Sequence, residues 1–446
     1  MAKANQGDGR AVLERVYRAA IAAVEPASLL RARFVAGDEP ALRVGKNRTM
    51  PVAARTWLIA AGKAAGAMAR EASRILGQRL AGGIVALPDR ARGLPPTLRQ
   101  LVAGHPLPNA GSLEAGKRAM AIAAGARRGE LILVLLSGGA SSLLVLPSPG
   151  ISLADKVATN DLLLRSGATI GEMNTVRKHL SRIKGGGLLR RAGAARVVGL
   201  IVSDVIGGSP AVVGSGPTAP DSSTFADALR ILARHRLLDR VPSAVRRHLE
   251  LGTKGLRLET LKPREGAVLN FVIGDNRLAL QAAGAQAEAL GLHSRILTAS
   301  LRGRTERAAR RFAAEVRRRR SAKGLCLLAG GETTVRVRGR GTGGRNQQFA
   351  LALAEEIAGW RSVRCLIAGS DGRDGPTDAA GAFVDGTTVA RARRLGLEPR
   401  AFLQNHDSHA FFVALGDLFR PGPTGTNVMD LELAIIGRVA GRDAAC

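Results

Sequence analysis

An α/β fold is what this sequence predicts, on three observations. Short, near-continuous aliphatic runs alternate with helical stretches, as expected for strands covered by helices on both faces. Aromatic residues make up only 3% of the chain, so its cores are built from Leu, Val, Ile and Ala, which suit helices packed on parallel strands. Glycine, acidic and hydroxyl residues gather at the carboxyl ends of the strand-like runs, where open α/β sheets bind ligands.

In chain order, TWLIAAG is a strand that runs into the helix KAAGAMAREASRILG. GGIVAL is a second strand, LILVLL ends in the turn SGG, and VVGLIVSDV ends in an acid. The polar stretch around 240–265, with Pro242, Pro263 and several glycines, reads as a boundary, so domains are expected over 10–250 and 265–440. A chain of 446 residues agrees with two domains of roughly 200 residues each. Beyond the boundary come NFVIGD and its helix, HSRILTAS, GLCLLAGG, TTVRVRG, the helix NQQFALALAEEIAGW and RCLIAGSD. TTVRVRG alternates apolar with charged residues, which marks a half-exposed, antiparallel strand, and hence a mixed second sheet.

Several function classes are excluded. Cys326, Cys365 and Cys446 have neither metal-ligand spacing nor a disulfide framework, and the first two sit in apolar runs where a small thiol packs as core. The start of the chain has charges and helical periodicity instead of an apolar signal core, and no apolar run has membrane-spanning length; a cytoplasmic protein without a membrane partner is expected. The net charge is +30, which raises the question of a nucleic-acid partner. The arginines lie along helical stretches, however, no aromatic residues interleave them, and the run Arg317–Arg320 suits a solvated helix end, so nucleic acid is not the expected ligand. A basic surface attracts anionic substrates instead.

Six clusters could carry chemistry. In AAGKAAG, Gly62 and Lys63 fall between a strand and a helix start, where an ammonium can meet phosphate oxygens. Trp57 and Ala64 stand where a Walker A loop has its first glycine and its magnesium-binding hydroxyl, so that loop is excluded. GHPLPNAGS fixes the backbone around His105, with Ser112 read as a helix cap. LLSGGASSLL places Ser137, Gly138, Gly139, Ser141 and Ser142 after a buried strand, an anion cradle without the spacing of a nucleophile elbow. SDVIGGSPAVVGSGPTAPD puts Asp204 at a strand end, where a carboxylate can bind magnesium or accept a hydroxyl proton, followed by a loop containing Ser215, Gly216 and Thr218 whose amides can hold phosphate. Gly339, Gly341 and Gly344 match G-x-G-x-x-G, but the preceding strand is not a buried one and Asp371 lies too far on for the ribose-binding acid, which weighs against a dinucleotide. Arg345, next to Asn346 at the following helix start, suits a bidentate grip on carboxylate or phosphate. Finally, AGSDGRDGPTDAAG sets Asp371, Asp374 and Asp378 in a glycine-rich turn suited to magnesium or substrate hydroxyls, or to a plain Asx turn. His406 and His409 lack the further ligands a metal site would need.

Taken in order, AAGKAAG, MNTVRKHLSRIKGG, SDVIGG with GSGPT, GGETTV, GGRNQ, SDGRDGPTDAAG, NHDS with FF, and GPTGTNV resemble the class II glycerate kinases, the MOFRL-domain family often labelled hydroxypyruvate reductase. The resemblance covers nearly the whole chain. It implies a Rossmann-like N-terminal domain with a parallel sheet, a smaller α/β C-terminal MOFRL domain with a mixed sheet, and phosphorylation of D-glycerate at the 2-hydroxyl with ATP and Mg2+. It implies that Lys63 and Arg345 are the key pair. On that reading Lys63 and the Ser137–Gly139 turn neutralise phosphate charge, Ser215, Gly216 and Thr218 help hold the nucleotide, Arg345, Asn346 and Asp371 meet glycerate, and Asp204 or Asp371 holds the metal. Asn109, Gly208 and Gln348 stand where the family pattern commonly has acids. Two rivals make different predictions: a nicotinamide-dependent hydroxypyruvate reductase oxidises NADH, and a basic nucleic-acid-binding protein shows steep salt dependence. The number of subunits is left open, a homo-oligomer included.

Overall fold

The computed structural model describes residues 2–35, 37, 39–45, 47–263, 269–319 and 324–437. The chain divides into two units, one formed by residues 26–273 and the other by residues 1–25 together with 274–446. The second unit therefore includes helix α1 (Ala2–Ala23), which the expected boundaries did not anticipate. Tyr17 of α1 donates its hydroxyl to the carbonyl of Gly369 at 2.8 Å, and Thr426 donates to Val24 O at 2.9 Å.

The first unit is organised by six strands: β1 (Thr56–Ala61), β2 (Leu80–Leu87), β3 (Leu98–Val102), β4 (Leu131–Leu136), β5 (Arg196–Val202) and β6 (Leu269–Gly274). Their order in the sheet is β3-β2-β1-β4-β5-β6, with the first five running parallel. This is the doubly wound order whose switch point falls between β1 and β4. All six residues of β4 are buried, because helices cover both faces of the strand. One core face joins Ile59, Ile84, Ile132 and Val134 to Ala115, Ala119 and Ala123 of helix α2 (Ala110–Gly125). Alanines on that helix face let it approach the sheet closely. A helical cluster completes the unit, with Val176, Phe225, Leu232, Val245 and Leu249 in its core.

Two expectations need correction here. The stretch read as a boundary is largely a helix, α3 (Ser243–Thr253), which buries Val245 and Leu249 inside the first unit, the last core side of that cluster before β6. Helix α2 starts at Ala110, capped by Asn109, whose side chain accepts from Ser112 N while Ser112 reciprocates at the third helical position. An amide oxygen serves this cap as a carboxylate would.

The other unit carries β7 (His293–Arg304), β8 (Leu325–Thr334), β9 (Val363–Gly369), β10 (Gly381–Asp385), β11 (Leu418–Phe419) and β12 (Asp430–Ile436), in the order β7-β8-β12-β9-β10-β11. β7 and β8 are parallel and the remaining pairs antiparallel, so the sheet is mixed. The reason differs from the expected one. TTVRVRG leaves the sheet after Thr334, and Val337 is 68% exposed; the antiparallel partner of β8 is instead the fully buried β12.

Candidate active site

At the switch point, Ala61 of β1 stands beside Leu136 of β4, so the turns that follow the two strands are neighbours. They are stitched together: Ser137 N donates to Ala61 O at 3.0 Å, Lys63 N to Gly138 O at 2.8 Å, and Ala64 N to Ser137 Oγ at 3.0 Å. Gly62 has φ +133°, and a Cβ there would lie 2.1 Å from Ser137 Oγ, so only glycine allows this junction. The buried hydroxyl of Ser137 thus shapes the turn, and the exposed Lys63 side chain leaves it.

Two further groups reach the same turn. A Cβ on Gly138 would lie 2.3 Å from Asp204 Oδ2, which places that carboxylate, at the end of β5, against the Gly138 backbone. A Cβ on Gly139 would meet His105 Cδ2 at 2.8 Å and Lys63 Cγ at 3.7 Å. Burial pushes the Asp204 carboxyl up, opposed by its own backbone amide and by Lys63. Burial and then the Lys63 charge push His105 down, which favours the neutral imidazole. Lys63, His105, Asp204 and the Ser137–Gly139 turn therefore form one cluster, at the position where sheets of this order bind ligands.

The second glycine turn lies close by. Gly214, Ser215 and Gly216 have φ of 60°, 60° and 64°, three successive left-handed residues. Ser215 tolerates this because its Oγ donates to Asn174 Oδ1 at 3.1 Å and meets Ser141 Oγ at 3.3 Å. Thr218 Oγ1 donates to Asn270 Oδ1 at 2.7 Å, which fastens the loop to β6. Both hydroxyls are buried in protein contacts, so these residues shape the turn instead of offering side chains to a ligand.

In the other unit, helix α4 (Arg345–Glu356) starts beside the first residue of β12. Arg345 donates Nε and Nη2 to the two oxygens of Asp430, at 2.5 and 3.0 Å, and its Nη1 lies 2.6 Å from Glu332 Oε1. Burial works against the guanidinium's charge, but Asp430 and Glu332 outweigh it and raise the pKa above its ordinary value. Asn346 is 2% exposed and gives its Nδ2 to Asp430 at 3.0 Å, which makes it a positioning group for that carboxylate. Asp374 caps the helix, accepting Asn346 N at 3.0 Å and Gln347 N at 2.8 Å. Burial nevertheless pushes its carboxyl up to about 6. Asp371 accepts Arg373 N at 3.1 Å in the adjoining turn. A cavity of about 350 Å3 is lined by Glu332, Thr333, Arg345, Gln348 and His406.

The glycines of the G-x-G-x-x-G match pack elsewhere: Cβ atoms on Gly339 and Gly341 would strike Asn405 O and Asp407 Cβ at 2.1 and 2.3 Å. The second and third amides of α4 already belong to Asp374, which weakens this helix start as a pyrophosphate site. His406 and His409 tie loops together through Gln348 and Gln347, and no group of three or more His, Cys, Asp or Glu with metal-site geometry occurs among the described residues. Gln348 also donates to Leu403 O at 3.0 Å, a bond that an ionised glutamate could not make. Asp430 and Glu332 went unrecognised in the sequence; the signal for the first was the acid–apolar alternation DLEL inside an otherwise aliphatic strand.

A doubly wound sheet with a cation, a carboxylate and an imidazole at its switch point, joined in sequence to a mixed-sheet unit, defines an α/β enzyme for an anionic small molecule. Comparison with known proteins narrows that class. Residues 12–250 match the family model described as a domain of unknown function, DUF4147, and residues 325–430 match the MOFRL family. The chain is 37% identical over 444 residues to the glycerate 2-kinase of Pyrococcus horikoshii, covering 98% of this chain and 99% of that one. It is 36% identical over 486 residues to the human glycerate kinase, covering 95% and 92% of the two chains. The crystal structure of a glycerate kinase from Thermotoga maritima superposes with a TM-score of 0.85 at 35% identity, covering 96% of this chain and all of that one. The chain belongs to the glycerate kinase family, with a DUF4147 domain and a MOFRL domain.

Proposed function

We propose that this protein is a glycerate 2-kinase that transfers the terminal phosphoryl group of ATP to the 2-hydroxyl of D-glycerate, giving 2-phosphoglycerate. The observation that carries the reading is the convergence of Lys63, His105 and Asp204 on the Ser137–Gly139 turn, in a chain alike over its full length to glycerate kinases. Phosphoryl transfer asks a protein mainly for positioning and charge stabilisation. Lys63 supplies a cation for phosphate oxygens, and the turns at Ser137–Gly139 and Ser215–Thr218 supply a rigid, small-residue wall. Where Asp371 holds the metal, Asp204, its proton affinity raised by burial, is placed to accept the proton of the attacking hydroxyl.

Arg345 is assigned to the glycerate carboxylate. Asp430 and Glu332 engage three of its five N–H groups among the described residues, which leaves two, one on each Nη, for a carboxylate. Asn346 holds Asp430 in place, and Asp371 is assigned to the substrate hydroxyls. Magnesium fits the Asp204 position: such ions commonly take one or two carboxylates and complete their shell with phosphates and water. Asp204, with Asp371 as the alternative, would hold it, and the ion would neutralise phosphate charge. The reading places the enzyme in the cytoplasm with a small-molecule substrate and no nucleic-acid partner; among the described residues no helix is long and apolar enough to cross a membrane.

The test is incubation of the purified protein with ATP, Mg2+ and D-glycerate, followed by identification of the phosphorylated carbon by NMR. The expected product is 2-phosphoglycerate. Absence of any phosphorylated glycerate, with NADH consumed on adding hydroxypyruvate, would replace the kinase reading by the reductase one.

A further inference from the structure

Behind the Ser137–Ser142 segment lie three cations that the proposed mechanism does not use. Lys156, on the helix Leu153–Arg165, and Lys184 are each only 2% exposed, and Arg177 of the helix Ile170–His179 is partly buried beside them. Lys184 Nζ donates to Ser141 O at 2.9 Å, Ser141 Oγ at 3.2 Å and Gly214 O at 3.1 Å, so a single ammonium clamps the two glycine turns together. Lys156 Nζ has one bond among the described residues, to Arg177 O at 3.3 Å, which leaves two of its three donors unused. Arg177 gives its Nε to the neutral Asn160 at 3.0 Å. Among the described residues none of the three forms an ion pair with a carboxylate, whereas the adjacent Lys178 has Asp221 at 3.1 Å.

Buried like charges with no counter-ion destabilise a fold, and proteins rarely retain them unless something outside the chain neutralises them. The cost is visible in the lysines themselves. Burial, then Arg177, pushes Lys156 down to about 7, while burial, then Lys156 and Arg177, pushes Lys184 well below the usual lysine range. Ser141, whose carbonyl and hydroxyl Lys184 holds, is partly exposed, as is Ser142.

We propose that Lys156, Arg177 and Lys184 form the basic floor of a polyphosphate site, with the Ser141–Ser142 segment as its surface and the phosphate chain of the nucleotide as its occupant. The identity of the occupant rests on the kinase reading; the preference for a multiply charged phosphate rests on three basic side chains gathered without a carboxylate ion pair among the described residues. Lys156 is a positioning residue that acts through its field, which falls off slowly in an interior of low effective dielectric. Without an anion it destabilises the chain, and with one it contributes to affinity.

The experiment compares wild type with Lys156→Met, which keeps the volume and removes the charge, in ligand-free melting and in calorimetric titration with inorganic tripolyphosphate at low salt. The proposal expects Lys156→Met to melt higher than wild type and to bind tripolyphosphate about tenfold more weakly or worse. In turnover it expects KM for ATP to rise with kcat little changed. A lysine with only a structural role gives the reverse, a lower melting temperature with unchanged tripolyphosphate affinity, and that result overturns the proposal. Should Lys156→Met fail to fold, Lys156→Gln carries the same binding comparison. A wild-type protein that binds tripolyphosphate but does not phosphorylate glycerate sinks the kinase reading and leaves the site standing. A working kinase whose ATP KM ignores Lys156→Met does the opposite.

Discussion

Arg345 has two roles that a double substitution can separate. Asp430 is 1% exposed and relies on Arg345 for two hydrogen bonds, so Arg345→Met leaves a buried carboxylate with Asn346 as its remaining side-chain donor. Asp430 also lies close enough to push up the carboxyls of both Asp374 and Glu432, so the orphaned charge sits among acids. Breaking a fully buried ion pair costs about 3–5 kcal/mol and breaking an exposed one about 0–1 kcal/mol. The Arg345 side chain remains 35% exposed, which screens the pair and brings the expectation down to about 2–3 kcal/mol. Asp430→Asn in the Arg345→Met background removes the orphan charge and should recover most of that loss, yet turnover should stay down by about two orders of magnitude or more in both proteins. Urea unfolding followed by Trp360 fluorescence, in a Trp57→Phe background, reports on the unit that contains the pair, because Trp360 packs on its core. A loss below about 0.5 kcal/mol in the single variant, or a double variant no more stable than the single, would refute the reasoning.

Three other outcomes follow from the same geometry. Lys63→Ala should lower kcat by about a hundredfold or more while leaving the melting temperature nearly unchanged, and should raise the His105 pKa in an NMR titration, since the Lys63 charge helps to depress it. Gly138→Ala should impair catalysis far more than stability: the new Cβ meets the movable end of the Asp204 side chain, so the carboxylate is displaced and the backbone is not. Kinetics and melting on the one variant decide it, and full activity would mean that Asp204 has no role at that turn. Lys156 should make stability depend on pH. Its folded pKa of about 7 lies below 10.5, the unfolded chain keeps the proton across that window, and wild-type stability therefore rises with pH from 7 to 10, by at most about 5 kcal/mol. Unfolding titrations of wild type and Lys156→Met should differ most at pH 7 and converge as pH rises; a gap that does not narrow rules the assignment out.

The sequence made the strands and their ligand-bearing ends legible, because a buried parallel strand is written as an aliphatic run and its functional turn follows at once: LILVLLSGG, VVGLIVSDV and TWLIAAGK all lie where expected. The β3-β2-β1-β4-β5-β6 order was not legible, since strand neighbours are chosen by tertiary packing that no local pattern records. Helix α3 was hidden by its Pro and Gly flanks, although Val245 and Leu249 carry the helical i, i+4 signal. TTVRVRG misled in the opposite sense, as an alternation with no sheet face to meet. Lys63 and Arg345 stood out through neighbouring glycines, whereas the partners of Arg345 lie far away in sequence: Asp430 is 85 residues on, and nothing local links the two. Nothing in the sequence singled out Lys156 and Lys184, because burial is a property of the folded whole.

The placement of α1 has a consequence for how the chain is made. Its apolar face, Val12, Leu13, Val16, Tyr17 and Ala20, is buried in the unit whose remainder begins only at residue 274. During synthesis, therefore, α1 must wait while the whole intervening unit is translated and folds, holding a sticky stripe that chaperones can recognise. A fragment cut after residue 273 keeps that stripe with nothing to cover it and should aggregate, whereas one running from 26 to 273 leaves the problem behind and should be the better-behaved half-protein.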